Sequence, residues 1–150
     1  MDYKMKIIDL KKDDEYISQY IELRNSYSHL LLTDIVKKEE TVKWIKNSKT
    51  TILGTAKNNE LLGVIILYLD RDNEIAIFTK EQKKGIGTLL LTEIEKTAKK
   101  NNINKLWAWV RKDNIPAQKL FEKNGYKLTK NSLRKYDNKD LNCFVFQKTI

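Results

Sequence analysis

Apolar and polar residues change their spacing several times along the chain, and each change predicts a new element. Apolar residues three or four positions apart predict helices, and short β-rich runs between turn residues predict strands. In chain order the pattern predicts a strand at 4–10, a helix capped by Asp13, a helix at Lys38–Asn47, strands at 50–56, 61–69 and Glu74–Thr79, a helix from Ile86, a strand at 105–110, a helix capped by Asn114, and strands at 126–128 and 141–148. The predicted fold class is α/β (α+β): a mixed, mostly antiparallel sheet of six to seven strands flanked by four helices, in the order β-α-α-β-β-β-α-β-α-β-β.

Turn residues separate these elements. The tetrapeptide KNNE between the second and third strands predicts a hairpin, and Asn124 followed by Gly125 is typical of a left-handed helix end. The residues between the last two strands are polar and predict a loop. Trp107 and Trp109 lie two positions apart on one strand. This spacing predicts that both pack beneath a helix rather than serve as stacking platforms for nucleobases.

Length and composition fit one domain at residues 1–150. The 41% hydrophobic content is enough for a core, and the 33% charged content is mixed in sign. Apolar runs such as LLGVIILYL are too short to cross a membrane, and the first ten residues lack the apolar segment of a signal peptide. The single cysteine, Cys143, cannot form an internal disulfide, which agrees with a reducing compartment. We therefore expect a cytoplasmic monomer or homodimer with no membrane partner.

The net charge of +9 is compatible with an anionic partner. Only four of the 29 basic residues are arginine, however, whereas surfaces that recognise phosphate tend to use arginine. We therefore expect no nucleic-acid partner, while a smaller anionic ligand stays compatible with the charge. One histidine and one cysteine cannot form a metal site, so no metal is expected.

A glycine-rich stretch, QKKGIG at residues 82–87, joins a predicted strand to a predicted helix. Backbone N–H groups at the start of a helix, together with the helix dipole, favour an anion such as phosphate. Gly85 and Gly87 allow the backbone to approach such a ligand closely, and Lys83 and Lys84 add positive charge. The stretch lacks the third glycine of a dinucleotide fingerprint and the GK[ST] of a P-loop. The sequence thus predicts a phosphate-binding turn of another kind.

The same stretch satisfies the pattern Q/R-x-x-G-x-G/A, and NIPAQKLFEKNGY at residues 114–126 satisfies N-x-x-A-x-x-L-[YF]-x-x-x-G-[FY]. These two signatures, within this order of elements, resemble the GNAT family of N-acetyltransferases, and the resemblance covers essentially the whole chain. It implies a GNAT fold with acetyl-CoA as co-substrate. By this resemblance the residues near 82–88 hold the pyrophosphate, and the strand Glu74–Thr79 pairs with the pantetheine arm where it separates from the next strand. The cofactor-binding residues so implied are Ile77, Phe78, Thr79, Gln82, Lys83, Lys84, Gly85, Ile86, Gly87, Thr88, Asn114, Ala117 and Phe121.

The resemblance also implies acetylation of an amine, which needs a base because a free alkylamine is mostly protonated at neutral pH. Glu74 matches a glutamate of many family members and is the candidate base; the alternative is a solvated residue at the start of a strand. Family members commonly use a tyrosine as general acid where this chain has Phe121. Either the thiolate leaves unaided, or Tyr126, Tyr136 or Cys143 donates instead. The acid therefore stays unassigned, with Tyr126 as a candidate.

The acceptor site of this family is built largely from the first two helices, the loop between them and the last hairpin. Arg24, Asn25 and His29 lie in these segments and are candidate acceptor contacts, with solvated side chains as the alternative for Arg24 and His29. The spaced residues LRN…T…E…WI in the first two helices are similar to those of bacterial family members that acetylate amino sugars, including nucleotide-linked amino sugars. The expected function is acetyl transfer to a primary amine of a small molecule by direct attack in a ternary complex. The alternatives are a protein or peptide N-acetyltransferase and a non-catalytic CoA- or RNA-binding module.

Overall fold

The computed structural model of the chain describes residues 5–27, 36–80 and 85–150. The elements are β1 (Lys6–Asp9), a 3₁₀ turn (Asp14–Tyr16), α1 (Ile17–Ser26), α2 (Lys38–Asn47), β2 (Thr50–Lys57), β3 (Glu60–Tyr68), β4 (Glu74–Thr79), α3 (Ile86–Lys100), β5 (Lys105–Arg111), α4 (Ile115–Lys123), β6 (Lys127–Tyr136) and β7 (Lys139–Thr149). The predicted order of strands and helices is confirmed. None of the helices within these ranges is both long and apolar enough to cross a membrane.

The described strands form one seven-stranded sheet in the order β1-β2-β3-β4-β5-β7-β6. Neighbouring strands are antiparallel except for β4 and β5, which are parallel. The β4–β5 pairing holds at one position, where Glu74 lies opposite Trp107. Beyond this pair the two strands no longer form a ladder, so the middle of the sheet has an opening. The predicted separation of these strands is therefore present, and it positions the functional site.

An apolar cluster is buried on each face of the sheet. Alternate residues of β3 supply both clusters: Ile65 and Leu67 pack with α3 and α4, whereas Val64 and Ile66 pack with α1 and α2. The buried residues of α3 are Ile86, Leu90, Leu91, Ile94 and Ala98. Their spacing confirms the helical pattern predicted for this segment.

The last hairpin differs from the prediction. Residues predicted as a polar loop are strand, since β6 and β7 pair as far as Tyr136 opposite Lys139. The chain reverses at Asp137 and Asn138, whose φ angles of 53° and 60° are those of a type I′ hairpin turn. Because β6 is an edge strand with mostly exposed side chains, it lacks the apolar alternation by which a half-buried strand is predicted.

Two predictions about side chains were also wrong. The Asp13 side chain does not cap α1: Asp13 stands at the N-cap of the 3₁₀ turn that precedes α1, and its Oδ2 accepts from the Asp9 N–H at 3.2 Å. Trp107 and Trp109 are half-buried and lie on the face of β5 opposite Ala108, which belongs to the cluster beneath α3 and α4. The tryptophans therefore do not pack under those helices, because the smaller residues of β5 occupy that face.

Two predicted helix boundaries are confirmed. Asn114 caps α4, and its Oδ1 accepts from the Ala117 N–H at 3.3 Å. After α4 the chain passes through Gly125 with a φ of 90°, the left-handed conformation predicted for this position.

Candidate active site

A cavity of about 1080 Å³ occupies the opening between β4 and β5. It extends from the N-terminal end of α3 to the Glu74 carboxylate at the far end of β4. The predicted site residues that line it are Arg24, Glu74, Ile77, Phe78, Thr79, Gly85, Gly87, Thr88, Asn114, Ala117 and Phe121. The fold therefore gathers around one cavity residues that the sequence analysis had taken from several separate segments.

The end of the cavity at α3 is built from backbone. Gly85 is the N-cap of α3, with a φ of 70°, in the left-handed region that glycine adopts without strain. The first intrahelical bond joins the Leu89 N–H to the Gly85 carbonyl at 3.0 Å. The N–H groups of the three residues before Leu89 thus have no acceptor inside the helix. Such a helix end is suited to an anion.

The β4 wall presents backbone groups to the opening. The Lys80 N–H bonds to the Leu62 carbonyl of β3 at 2.7 Å. Since residues that bond to the neighbouring strand alternate along an antiparallel ladder, the backbone groups of Ile77 and Thr79 point away from β3 and toward the opening. Tyr27, at the end of α1, donates its hydroxyl to the Thr79 carbonyl at 2.5 Å. An extended amide-bearing ligand can pair with this edge as an added strand would.

The opposite wall is formed by α4. Asn114 and Ala117 line it near the start of the helix. Phe121 lies deeper, with its ring stacked on Phe146 at 5.9 Å between centroids and edge-on to Tyr126 at 5.1 Å. This part of the cavity therefore has an apolar surface where the family commonly has a tyrosine hydroxyl.

Glu74 lies at the end of the cavity remote from α3 and is only 3% exposed. Its Oε2 is 3.6 Å from Arg71 Nη1, and its Oε1 is 3.9 Å from Arg134 Nη1. Burial raises the pKa of the Glu74 carboxyl above its ordinary value, and the positive charges of Arg134 and Arg71 oppose this rise. A raised pKa makes a carboxylate a better proton acceptor. The burial of Glu74 excludes the alternative of a solvated residue at a strand start.

Both arginines beside Glu74 lie against aromatic rings. Arg71 Cζ is 4.2 Å from the centre of the Tyr68 ring, and Arg134 Cζ is 4.2 Å from that of Trp109. Stacking of this kind fixes the guanidinium plane. Arg24 lines the same cavity, so three of the chain's four arginines contribute to its walls. Only Arg24 was predicted from sequence, although the scarcity of arginine among so many lysines is a signal that points to the other two.

Some predicted binding residues do not line the cavity. Ile86 is buried in the core beneath α3. Asn25 bonds through both carboxamide atoms to the backbone of Val36, at 3.2 and 2.9 Å, and so holds the chain ahead of α2. The remaining predicted residues, Gln82, Lys83, Lys84 and His29, lie outside the described residues.

The three candidate acids also lie away from the cavity walls. Tyr126 donates its hydroxyl to Glu95 Oε2 at 3.1 Å, and burial followed by the Glu95 charge raises the pKa of this phenol. Burial likewise raises the pKa of the Cys143 thiol. Neither residue is among the described lining of the cavity, and nor is Tyr136. Two tyrosines that the sequence analysis did not single out, Tyr27 and Tyr68, do line it.

Within the described ranges no three histidine, cysteine or acidic side chains are grouped in a way that could hold a metal ion.

The sequence model of the acetyltransferase (GNAT) family matches residues 12–126. The chain therefore belongs to the acetyltransferase (GNAT) family and is an acyltransferase by class. It is 32% identical over 134 residues to Acetyltransferase PseH of Campylobacter jejuni subsp. jejuni serotype O:23/36 (strain 81-176), a match that covers 80% of this chain and 85% of that protein.

Solved structures share the fold at low sequence identity. The yncA protein of Salmonella typhimurium, solved with its cofactor acetyl-CoA, superposes with a TM-score of 0.80 at 16% identity and covers 97% of this chain and 93% of its own. A ribosomal-protein-alanine N-acetyltransferase from Brucella melitensis superposes with a TM-score of 0.83 at 15% identity, with coverages of 97% and 99%. A RimL ribosomal L7/L12 acetyltransferase, solved in complex with coenzyme A, superposes with a TM-score of 0.76 at 15% identity and covers 99% of this chain and 96% of its own. These structures confirm the predicted GNAT fold.

Proposed function

We propose that this protein is an acetyl-CoA-dependent N-acetyltransferase that transfers an acetyl group to a primary amine of a small molecule. The favoured acceptor is an amino sugar or a nucleotide-linked amino sugar, which attacks directly in a ternary complex. One observation carries the proposal: a single cavity joins a backbone-built anion site at α3 to the buried Glu74 carboxylate along the open edge of β4. The proposed location is the cytoplasm, in keeping with a chain whose one cysteine has no internal partner for a disulfide.

The residues on the cavity walls fit acetyl-CoA. The first-turn N–H groups of α3, with Gly85 in its left-handed conformation, suit the pyrophosphate. The backbone groups of Ile77 and Thr79 suit the amides of the pantetheine arm, and Ala117 leaves room for the arm on the facing wall. When bound, acetyl-CoA supplies an activated acetyl thioester between these walls.

Glu74 acts as the base. An alkylamine arrives mostly protonated at neutral pH, and Glu74 accepts the proton directly or through one water. Arg71 and Arg134 favour the ionised carboxylate, whereas burial makes it more basic than a surface glutamate. These opposing effects on the pKa of Glu74 suit a carboxylate that must be ionised before the amine binds and must then accept the proton of the amine.

Phe121 offers no proton to the departing sulfur. A simple thiol has a pKa near 8.5, so a thiolate can leave near neutral pH without a protein acid. Phe121 instead keeps this part of the cavity apolar, because its ring is stacked on Phe146. The proposed mechanism therefore uses a protein base and no protein acid.

The acceptor end favours an amine that also carries an anionic group. Arg24, Arg71 and Arg134 surround this end, and a guanidinium group has five donors that match a phosphate in pairs. One carboxylate, Glu74, lies between two of them at distances too long to satisfy their donors. The nucleotide-linked form of an amino sugar would supply phosphate oxygens as acceptors for Arg71 and Arg134. The sequence similarity to an acetyltransferase, PseH, is in keeping with acetyl transfer.

An assay of CoA release with a panel of amines tests the proposal. The panel contains amino sugars, nucleotide-linked amino sugars, polyamines, aminoglycosides and short peptides. We expect the highest kcat/KM for a nucleotide-linked amino sugar, with the free amino sugar lower by roughly tenfold or more, since each charge-assisted hydrogen bond contributes about 1.5–3 kcal/mol. Turnover of peptides alone would instead support a protein N-acetyltransferase. If calorimetry shows no binding of acetyl-CoA at millimolar concentration, the enzymatic proposal is abandoned.

A further inference from the structure

Asn101 and Asn124 end their helices in the same way. Asn101 is the C-cap of α3, and its Nδ2 donates to the Thr97 carbonyl four residues back at 2.8 Å. Asn124 is the C-cap of α4, and its Nδ2 donates to the Leu120 carbonyl four residues back at 2.8 Å. Each carboxamide thereby adds a donor to a carbonyl in the last turn of its helix, and the Leu120 carbonyl also accepts from the Asn124 backbone N–H at 3.2 Å. A single N–H is enough for this role.

Asn124 uses its second N–H for another contact. The same Nδ2 lies 3.2 Å from Thr88 Oγ1, in the first turn of α3. The Leu120 carbonyl can only accept, so the side of the carboxamide turned toward it must be the NH₂ group. This fixes the orientation of the amide without reference to Thr88. Thr88 is consequently the acceptor in its bond with Asn124.

Among the described residues the Thr88 hydroxyl makes one hydrogen bond, which it accepts from Asn124. A threonine hydroxyl has one hydrogen to donate and can accept two more. Further along α3, Thr92 and Thr97 donate theirs to carbonyls four residues back, at 2.9 and 3.1 Å. Thr88 is the third residue of α3, and the residue four positions back lies outside the described part of the chain. Because Thr88 accepts from Asn124 on one side, its hydrogen points elsewhere, and Thr88 lines the cavity.

We propose that Asn124 is a positioning residue for the phosphate-binding end of the cavity: it holds the Thr88 hydroxyl as a donor toward a pyrophosphate, beside the N–H groups of the first turn of α3. This inference rests on the proposed use of acetyl-CoA. Asn124 is not among the described residues that line the cavity, so it acts through Thr88. The contact also links the end of α4 to the start of α3, the two elements that form this end of the site.

Calorimetry with CoA and kinetics with two acetyl donors test the inference. Thr88→Val keeps the β-branched shape and removes the hydroxyl, and Asn124→Ala removes both amide hydrogens. We expect each variant to raise the Kd for CoA about tenfold, since a hydrogen bond to a charged group contributes about 1.5–3 kcal/mol. We expect kcat/KM to fall by the same factor with acetyl-CoA but to stay at the wild-type value with S-acetylpantetheine, which has no pyrophosphate.

Matched controls separate positioning from helix capping. Asn101→Ala removes an equivalent C-cap and Thr92→Val removes an equivalent hydroxyl, so both should lower the melting temperature without changing the Kd for CoA. The double variant Thr88→Val/Asn124→Ala should bind CoA as weakly as either single variant and no more weakly, because Asn124 acts through Thr88. Losses that multiply in the double variant, or a Thr88→Val variant that binds CoA like the wild type, would overturn the inference. Absence of CoA binding by the wild type would instead refute the proposed function itself.

Discussion

Arg134 of β6 contacts Glu74 of β4, with Arg134 Nη1 3.9 Å from Glu74 Oε1. Two strands, β5 and β7, separate β4 from β6 in the sheet. The Arg134 side chain reaches across them over the ring of Trp109, a residue of β5, with Arg134 Cζ 4.2 Å from the ring centre. The last hairpin thus reaches back over the opening and places a fixed positive charge beside the candidate base. Acceptor binding and the ionisation of Glu74 are therefore expected to depend on the same hairpin.

Replacement of Glu74 by Gln tests its role as the base. Gln has nearly the same shape, but it is uncharged and cannot take a proton. We expect kcat to fall by roughly 10²–10⁴-fold, the usual contribution of a general base. The Kd for CoA should not change, because Glu74 lies at the end of the cavity away from α3.

The control is Glu60→Gln, which removes an exposed carboxylate that pairs with Lys80 on the surface. This variant should match the wild type in kcat. Steady-state kinetics and calorimetry measure both quantities. If Glu74→Gln keeps most of its turnover, the base lies elsewhere.

Arg134→Met should shift the pH profile of the reaction. Only the ionised form of Glu74 can accept a proton, so activity rises with pH through the pKa of this group. The charged neighbours of Glu74 are Arg134 and Arg71, and both favour the ionised carboxylate. Removal of one positive charge raises the pKa further. The rising limb of kcat/KM against pH should therefore move to higher pH.

Arg111→Met is the matched control for that experiment, since it removes the same charge from a side chain that pairs with Asp113 at 2.7 Å and is not part of the described cavity lining. Its pH profile should coincide with that of the wild type. A profile for Arg134→Met that stays in place, or moves to lower pH, would show that Arg134 does not act on Glu74. With a nucleotide-linked acceptor, Arg134→Met should also raise the KM for the acceptor while leaving that for acetyl-CoA unchanged.

The lining of the cavity at the start of α3 and of α4 could be predicted from sequence because its signals are local. The glycine pair at the start of α3 and the capping residue Asn114 each act within one turn of backbone. The local sequence is therefore enough to predict where these helices begin. The prediction of an opening beside β4 was also correct. This prediction came from the family resemblance, because the spacing of apolar residues along the chain does not show which strands are neighbours in the sheet.

The Glu74 end of the cavity depends on contacts between distant segments. Arg71 lies in a turn and Arg134 lies on an edge strand. Charged side chains in turns and on edge strands are usually exposed to solvent, so neither residue was predicted to line a cavity. Only the register of β6 on β7, and of β7 on β5, brings Arg134 over Trp109. Trp107 and Trp109 were predicted to lie beneath a helix. The alternation of residues along β5 shows that the two share one face of the sheet, but it does not show which face the helices cover. For the same reason it could not place Tyr126 relative to the cavity.

Gly85 should tolerate Asn better than Ala. Its φ of 70° is a left-handed conformation, which costs a residue with a Cβ roughly 1–2 kcal/mol, whereas Asn adopts it more readily. No atom of the described residues lies within 4 Å of a Cβ built at this position, so the cost is conformational and not a clash. We expect Gly85→Ala to lower the free energy of unfolding by about 1–2 kcal/mol and Gly85→Asn by less. Urea denaturation measures both, and an equal loss for the two variants would argue against the left-handed conformation.

Tyr126→Phe separates a structural role from an acid role. The Tyr126 hydroxyl donates to Glu95 Oε2, while Lys148 Nζ bonds to the other oxygen of Glu95 at 2.8 Å. This group joins α3, β7 and the segment after α4. Loss of the hydroxyl leaves Glu95 with its lysine, so we expect a decrease of about 1 kcal/mol in the free energy of unfolding.

The Tyr126 hydroxyl is turned toward Glu95, and burial and the Glu95 charge both raise the pKa of this phenol. We therefore expect kcat to stay at the wild-type value at every pH tested. Thermal unfolding and a pH series of kcat provide the two measurements. A drop of tenfold or more in kcat, with loss of the limb of the profile at high pH, would identify Tyr126 as the acid and would mean that its side chain leaves Glu95 during the reaction.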